Sequence, residues 1–366
     1  EICACLVGSE MCIRDSSGLQ RKDFQTEVNG QHTDLFTLSN KQGMEVCITN
    51  YGARVVSILV PDRNGKREDV VCGFSTITEY MEQRQNFGST VGRYIGRILN
   101  ARFTLDGVEY KLVPNNGKSG HISHGGNPGF ADRIWKVEQA DTHRVRLSYL
   151  SPDGENGFPG NLKVTLVYSL GEDDNALDLT YEATTDAPTV LNLSHHSFFN
   201  ISGNFTKSVE DQQLWVDADR FTPYDDKKCV TGEYLPVAGT PLDFRMPHAI
   251  GECIDADHPQ LKVVNGYDHT WELNTKGDDT RPAAWVYDPA SGRKMEIFTT
   301  EPGMQIYTGN GLKGKMTGKG RIAYPFRSAV CFETMHFQDS PNQPGFPSTV
   351  LRPGEVFRSH TVYKFE

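Results

Sequence analysis

Long apolar runs are missing from this chain: no stretch approaches the roughly 18 to 20 consecutive apolar residues that a membrane-spanning helix needs. The N-terminus has no basic region leading into an apolar run, so no signal peptide is read there. Basic clusters are lacking too. Lys and Arg number 37 against 47 Asp and Glu, a net charge of −10. That balance argues against a nucleic acid or an anionic membrane surface as partner, because phosphates are held by grouped cations. A neutral small molecule is the partner this charge penalises least. Cysteine is present but without metal or redox spacing. Cys3, Cys5 and Cys12 crowd the first dozen residues, and Cys47, Cys72, Cys229, Cys253 and Cys331 are scattered. They read as free thiols of a reduced, cytoplasmic protein. Helical periodicity is equally scarce, with residues 76 to 82 as the one short helix that stands out.

What remains is a chain of strands. Hydrophobic residues make up 37% and charged residues 23% of 366, ordinary for a globular protein long enough to bury a full core. Leu162, Val164, Leu166, Tyr168 and Leu170 alternate with Lys163, Thr165, Val167 and Ser169, the period-two pattern of a half-buried strand. Leu177, Leu179, Tyr181 and Ala183 repeat it. Residues 102–112 form a hairpin signal in which Asp106-Gly107 suits a type I′ turn, where both central residues need positive φ. A second hairpin is read over residues 285–298, with Pro289 and Gly292 at the bend. With 35 Gly and 19 Pro punctuating short strands, the expected fold class is all-β, a large sandwich or a barrel with few short helices. The opening EICACLVGSEMCIRDSSG has neither a start Met nor a periodic pattern. Residues 1–20 are therefore set apart as a non-native or disordered segment, and residues 21–366 are read as one β-domain. Function is expected on long polar loops such as residues 115–129 and 338–353.

Five clusters place His, Arg, Asp or Glu beside Gly or aromatic residues: Gly92–Ile98, His121–Gly126, Leu193–Asn200, Gly266–Trp271 and Cys331–His336. A metal site is one reading. His121 and His124 need a helical turn to align, which the surrounding Gly and Ser do not give, and His195 and His196 on a strand point to opposite faces. There is no HExxH and no zinc-spaced Cys cluster, so no metal is expected. A carboxylate pair, Asp268 with Glu333, is a second reading, of the glycosidase type, whose outcome depends on a separation that sequence does not supply. A third combines a carboxylate base with a histidine acid. Opening a sugar ring needs a proton taken from the anomeric hydroxyl and another delivered to the ring oxygen, and a Glu–His couple supplies both near neutral pH without cofactor. The aromatics Trp271, Tyr307 and Phe337 adjoin the clusters, with core packing the simpler account of each.

Taken together and in this order, the motifs Asn50-Tyr-Gly-Ala53, GRYIGRI, FTLDGVEYKL, HGG followed by Gly129-Phe130, HHSFFN, GYDH, TTEPGMQIYTGN and FETMHFQDSPNQPGFPSTVLRPGE resemble the aldose 1-epimerase (galactose mutarotase) family over residues 24–366. The resemblance implies a large antiparallel β-sandwich with a sugar-binding cleft on one sheet. It implies Glu333 as general base, His196 as general acid and His124 as a second active-site histidine. Arg97, Asp268 and Gln305 match substrate-binding positions, where Arg donates to hydroxyl oxygens, Asp accepts from hydroxyls and Gln does both. It further implies a free aldose as ligand, with no cofactor; the sequence leaves the oligomeric state, monomer or homodimer, open.

Three positions depart from the family pattern. Gly96 stands where members often carry an Asn that contributes to the sugar site, so one substrate hydrogen bond is absent or supplied elsewhere. His195 stands where many have Asn, and is expected to face away from His196. Phe198 lacks the hydroxyl of a common Tyr. A hexose-6-phosphate epimerase would need extra cations for the phosphate, and no Arg cluster adjoins the motifs. A non-catalytic sugar-binding module would not need a matched acid and base.

Overall fold

The computed structural model describes residues 17–366. Most of the segment set apart at the N-terminus, with Cys3, Cys5 and Cys12, therefore lies outside the described residues. Of its last residues, Leu19 is buried against Phe24, Leu35 and Cys47.

Two antiparallel sheets dominate, as the alternation predicts. The larger has nine strands, in the spatial order Lys136–Ala140, Arg144–Ser151, Leu162–Leu170, Ala176–Thr185, Phe357–Phe365, Lys294–Thr299, Ala284–Tyr287, Gln213–Val216 and His248–Ala249. Its central strands show the expected period: along Leu162–Leu170 every second residue, from Leu162 to Leu170, is buried. The smaller sheet has six strands, ordered Phe198–Phe199, Val330–Met335, Gly303–Tyr307, Asp268–Glu272, Arg220–Thr222 and Leu235–Pro236. Leu166, Leu179 and Ile297 from the first sheet and Phe332, Ile306 and Trp271 from the second belong to one apolar core. Apolar inner faces packed together in this way are what hold a sandwich. A four-stranded sheet, Leu35–Ser39, Glu45–Thr49, Arg54–Pro61 and Arg67–Asp69, adds Val46, Ile48, Val55 and Ile58 to the same core.

The local readings hold. Strands Arg102–Leu105 and Val108–Lys111 pair with Leu105 opposite Val108, and Asp106 and Gly107 have φ of 52° and 81°, as a type I′ turn requires. Strands Ala284–Tyr287 and Lys294–Thr299 form the second hairpin. The short helix spans Ile77–Gln83, opened by a capping box in which Thr76 and Glu79 satisfy each other's backbone N–H groups.

The strand pattern of the smaller sheet creates the site. Side chains alternate between faces, so while Phe332, Ile306 and Trp271 enter the core, Glu333, Gln305 and Asp268 emerge on the opposite face. Register aligns them: Glu333 lies opposite Gln305, Gln305 opposite Thr270, and Tyr307 lies between Cys331 and Asp268.

Candidate active site

A cavity of about 250 Å³ lies over that outer face, lined by Gln85, Asn86, Gly96, Arg97, Ser123, His124, His196, Phe198, Asp268, Gln305, Tyr307, Glu333, Met335 and Gln338. All six residues singled out from the sequence line it: Glu333, His196, His124, Arg97, Asp268 and Gln305. They come from six separate stretches of chain.

Strand Ser194–His196 pairs with Ser89–Val91 and turns its two histidines apart. His196 faces the cavity. His195 faces inward, its Nε2 2.6 Å from Ser197 Oγ and its Nδ1 3.4 Å from Tyr168 Oη, as expected for the opposite side of a strand. Phe198 stacks on the His196 ring at 5.0 Å and 13°. Arg97 sits on a two-residue strand paired with Ile122–Ser123, which brings the HGG motif alongside. Gly125 is there because nothing larger fits: at φ of 79°, a Cβ would lie 2.0 Å from the Gly92 carbonyl oxygen. That close approach of two glycine-containing motifs presents His124, whose ring meets the His196 ring edge-on at 5.5 Å. His121, three residues earlier, points elsewhere, accepting from Asn100 N–H and lying 3.3 Å from Cys229 Sγ.

Glu333 and His196 form the closest acid–base contact, Oε1 to Nε2 at 3.4 Å, with both side chains almost wholly buried. Burial, with Asp268 adding its charge, pushes the Glu333 carboxyl well above the usual carboxylate range. Burial, with His124 adding, pushes His196 well below the usual imidazole range. Burial and then Arg97 bring His124 down to about 4. Asp268 is also raised by burial, against the lowering influence of Arg97 and of Gln305, whose Nε2 donates to Asp268 Oδ1 at 2.7 Å. The floor thus offers a proton acceptor, a proton donor and a row of fixed polar groups in a water-poor setting.

Donor atoms of His196, Cys331 and Glu333 lie within 4.8 Å of one another, a juxtaposition that sequence spacing does not reveal. Burial raises the Cys331 thiol well above its usual range, which keeps it protonated and makes it a poor cation ligand.

Sequence reasoning missed Gln85, Asn86, Ser123, Met335 and Gln338. Gln338 was visible inside the FETMHFQDSPN motif without a role. Gln85 and Asn86 carry no local signal. They are held from behind by Arg54, which donates to the carbonyls of Gln85 at 2.7 Å, Phe87 at 3.0 Å and Ala131 at 2.8 Å. Of the three aromatics, Tyr307 lines the cavity. Trp271 is in the core with Nε1 donating to Leu242 O, and Phe337 packs on Tyr234 and Phe346.

A cleft on one sheet of an antiparallel sandwich, floored by a buried carboxylate–imidazole pair and ringed by hydrogen-bonding side chains, defines an acid–base enzyme for a small polar ligand. The particular family follows from comparison. The sequence profile of the aldose 1-epimerase family matches residues 34–364, and the chain belongs to that family. Galactose mutarotase of Bos taurus is 40% identical over 333 residues, covering 91% of this chain and 94% of its own. Aldose 1-epimerase of Escherichia coli K12 is 36% identical over 339 residues, covering 92% and 96%. The crystal structure of an aldose epimerase homologue from C. elegans superimposes with a TM-score of 0.84 at 30% identity, covering 91% of this chain and 99% of that one.

Proposed function

We propose that this protein is an aldose 1-epimerase that interconverts the α and β anomers of free hexoses such as galactose and glucose by acid–base ring opening and closure. The observation that carries this reading is the buried Glu333–His196 pair, 3.4 Å apart, on the floor of a cavity lined by hydroxyl-binding groups.

Glu333 takes the proton of the anomeric hydroxyl as the C1–O5 bond breaks, and His196 delivers a proton to the ring oxygen. The open-chain aldehyde then turns about its C1–C2 bond, and the same two groups act in reverse on the other carbonyl face. No electron is transferred and no covalent enzyme intermediate is required, so two positioned proton transfers suffice. His124 hydrogen-bonds the sugar near the reacting centre. Arg97, Asp268 and Gln305 hold the remaining hydroxyls, with Gln305 tied to both Asp268 and Thr270. Among the described residues lining the cavity, Arg97 is the only cation, which favours a neutral sugar over a hexose 6-phosphate.

Residues 21–366 act as one catalytic domain, working as a monomer or homodimer with no nucleic-acid partner. A cytoplasmic setting is supported by the five described cysteines, all free. No described helix is long and apolar enough to cross a membrane. Polarimetry of freshly dissolved α-D-glucose and α-D-galactose tests the activity. Enzyme that fails to speed equilibration beyond the spontaneous rate would refute it.

A further inference from the structure

Gly96 lines the cavity with φ of 77°, and a Cβ placed on it would lie 2.6 Å from Gln338 Cγ and 3.1 Å from its Cδ. The space that a side chain at position 96 would use is therefore filled by Gln338. Gln338 is 5% exposed and lines the cavity itself. The loop that carries it is clamped to the Arg97 strand: Asp339 N–H donates to Arg97 O at 2.8 Å, and Asp339 Oδ1 accepts from Leu99 N–H at 2.9 Å.

The amide's orientation follows from its partners. Arg97 N–H can only donate, and it meets Gln338 Oε1 at 3.3 Å. Gln338 Nε2 then donates to Tyr224 Oη at 2.7 Å and to Gln305 Oε1 at 3.3 Å. A glutamine amide can make four hydrogen bonds, two through nitrogen and two through oxygen. Three are made within the protein, leaving one lone pair on Oε1. We propose that Gln338 is a substrate-contacting, specificity-determining residue, accepting a hydrogen bond from one sugar hydroxyl beside Gly96, in the space that a side chain at that position would otherwise take. The proposal rests on the reading of this cavity as an aldose site. Gln338 also couples Arg97, Gln305 and, through Gln305, Asp268 into one polar wall, so its hydroxyl acceptor is fixed before substrate arrives.

Gln338→Met keeps the volume and removes the amide, whereas Gln338→Ala removes both. Each is expected to raise KM for galactose about tenfold with kcat within about twofold of wild type and the pH profile unmoved, the signature of lost binding without lost proton transfer. At least one monodeoxy galactose, lacking the hydroxyl that Gln338 accepts from, should show no further rise in KM when Gln338 is replaced. Gly96→Asn alone should raise KM by displacing Gln338. In Gly96→Asn with Gln338→Ala the new amide occupies the vacated space, and KM should fall below that of Gln338→Ala alone. Wild-type KM in Gln338→Met, the same added penalty for every deoxy sugar, or multiplying effects of the two substitutions would overturn the proposal. Absence of any catalysed mutarotation by wild type would instead overturn the functional reading beneath it.

Discussion

Replacing Glu333 by Gln removes the carboxylate that contacts His196 while keeping its shape. The side chain is 5% exposed and its Oε1 already sits 3.4 Å from His196 Nε2, so an amide fits without repacking. Positioned proton transfer contributes about 10²- to 10⁴-fold, or roughly 3 to 5 kcal/mol of barrier at 1.36 kcal/mol per decade. The middle of that range is expected here. Burial excludes bulk water as a substitute base, but Asp268 shares the cavity and is itself a raised carboxyl. The expected result is a fall in kcat of about 10³ with KM changed less than about threefold.

The assay is polarimetric, with the spontaneous rate subtracted at each pH. Wild type should give a bell. The working pair carries one proton: falling pH adds a second by protonating Glu333, and rising pH removes the first, leaving His196 nothing to give. Because burial lowers His196 and raises Glu333, the acidic limb should lie below the ordinary imidazole range and the alkaline limb above the ordinary carboxylate range. The two limbs report the pair and not either residue separately. In Glu333→Gln the acidic limb should vanish along with the bulk of the rate. Activity within about threefold of wild type, or a retained acidic limb, would refute the assignment of Glu333 as base. Combining Glu333→Gln with His196→Ala should cost little more than either alone, since the two act as a unit.

Arg54→Met should lower stability by about 2 to 4 kcal/mol in urea titration, because it leaves the carbonyls of Gln85, Phe87 and Ala131 without their donor. It should also raise KM, since Gln85 and Asn86 line the site. Gly125→Ala places a Cβ 2.0 Å from Gly92 O and should cost about 2 kcal/mol or more through strain. Its kcat should fall as His124 is displaced; unchanged activity would show that this contact does not position the ring. His360 is raised to about 8 by Asp178, with Asp279 contributing. A raised histidine stabilises fully below its unfolded value near 6.5, and loses that contribution as pH climbs through about 8. Discounted for partial exposure, about 1 kcal/mol of stability should disappear over that window, and His360→Gln should flatten the dependence.

The larger sheet was legible because its long central strands show one face to the core and a more exposed one outward. Leu162–Leu170 and Ala176–Thr185 therefore carry their period in plain view. Val330–Met335 does not: all six residues are buried, the cavity face as well as the core face, and the alternation disappears. That strand carries Glu333. The residues alone left the Glu–His couple beside a carboxylate pair, and the choice between them came from motif resemblance. The same periodicity argument did sort His195 from His196, since adjacency on a strand dictates opposite faces wherever the sheet lies. Gln338 and Gly96 lay beyond reach for a different reason. Their contact joins positions more than 200 residues apart in the sequence, and neither residue type announces the other. Arg54 is similar, a charge whose partners are backbone carbonyls with no signature of their own.

Burial drives Glu333 and His196 in opposite directions, each toward its neutral form. Far apart, such shifts would disable an ionised base and a charged acid. At 3.4 Å a single proton can pass between the two groups. Anomer exchange needs such a transfer, because the base of ring opening must become the acid of ring closure within one binding event. Asp268 acts on the pair from the substrate side: its charge raises Glu333, while Arg97 and Gln305 restrain Asp268 in turn. On the proposed assignment, Asp268 would both hold a sugar hydroxyl and raise Glu333 through its charge. A hydroxyl bound against Asp268 would alter the field at Glu333, which would link recognition of the sugar to its chemistry through charge.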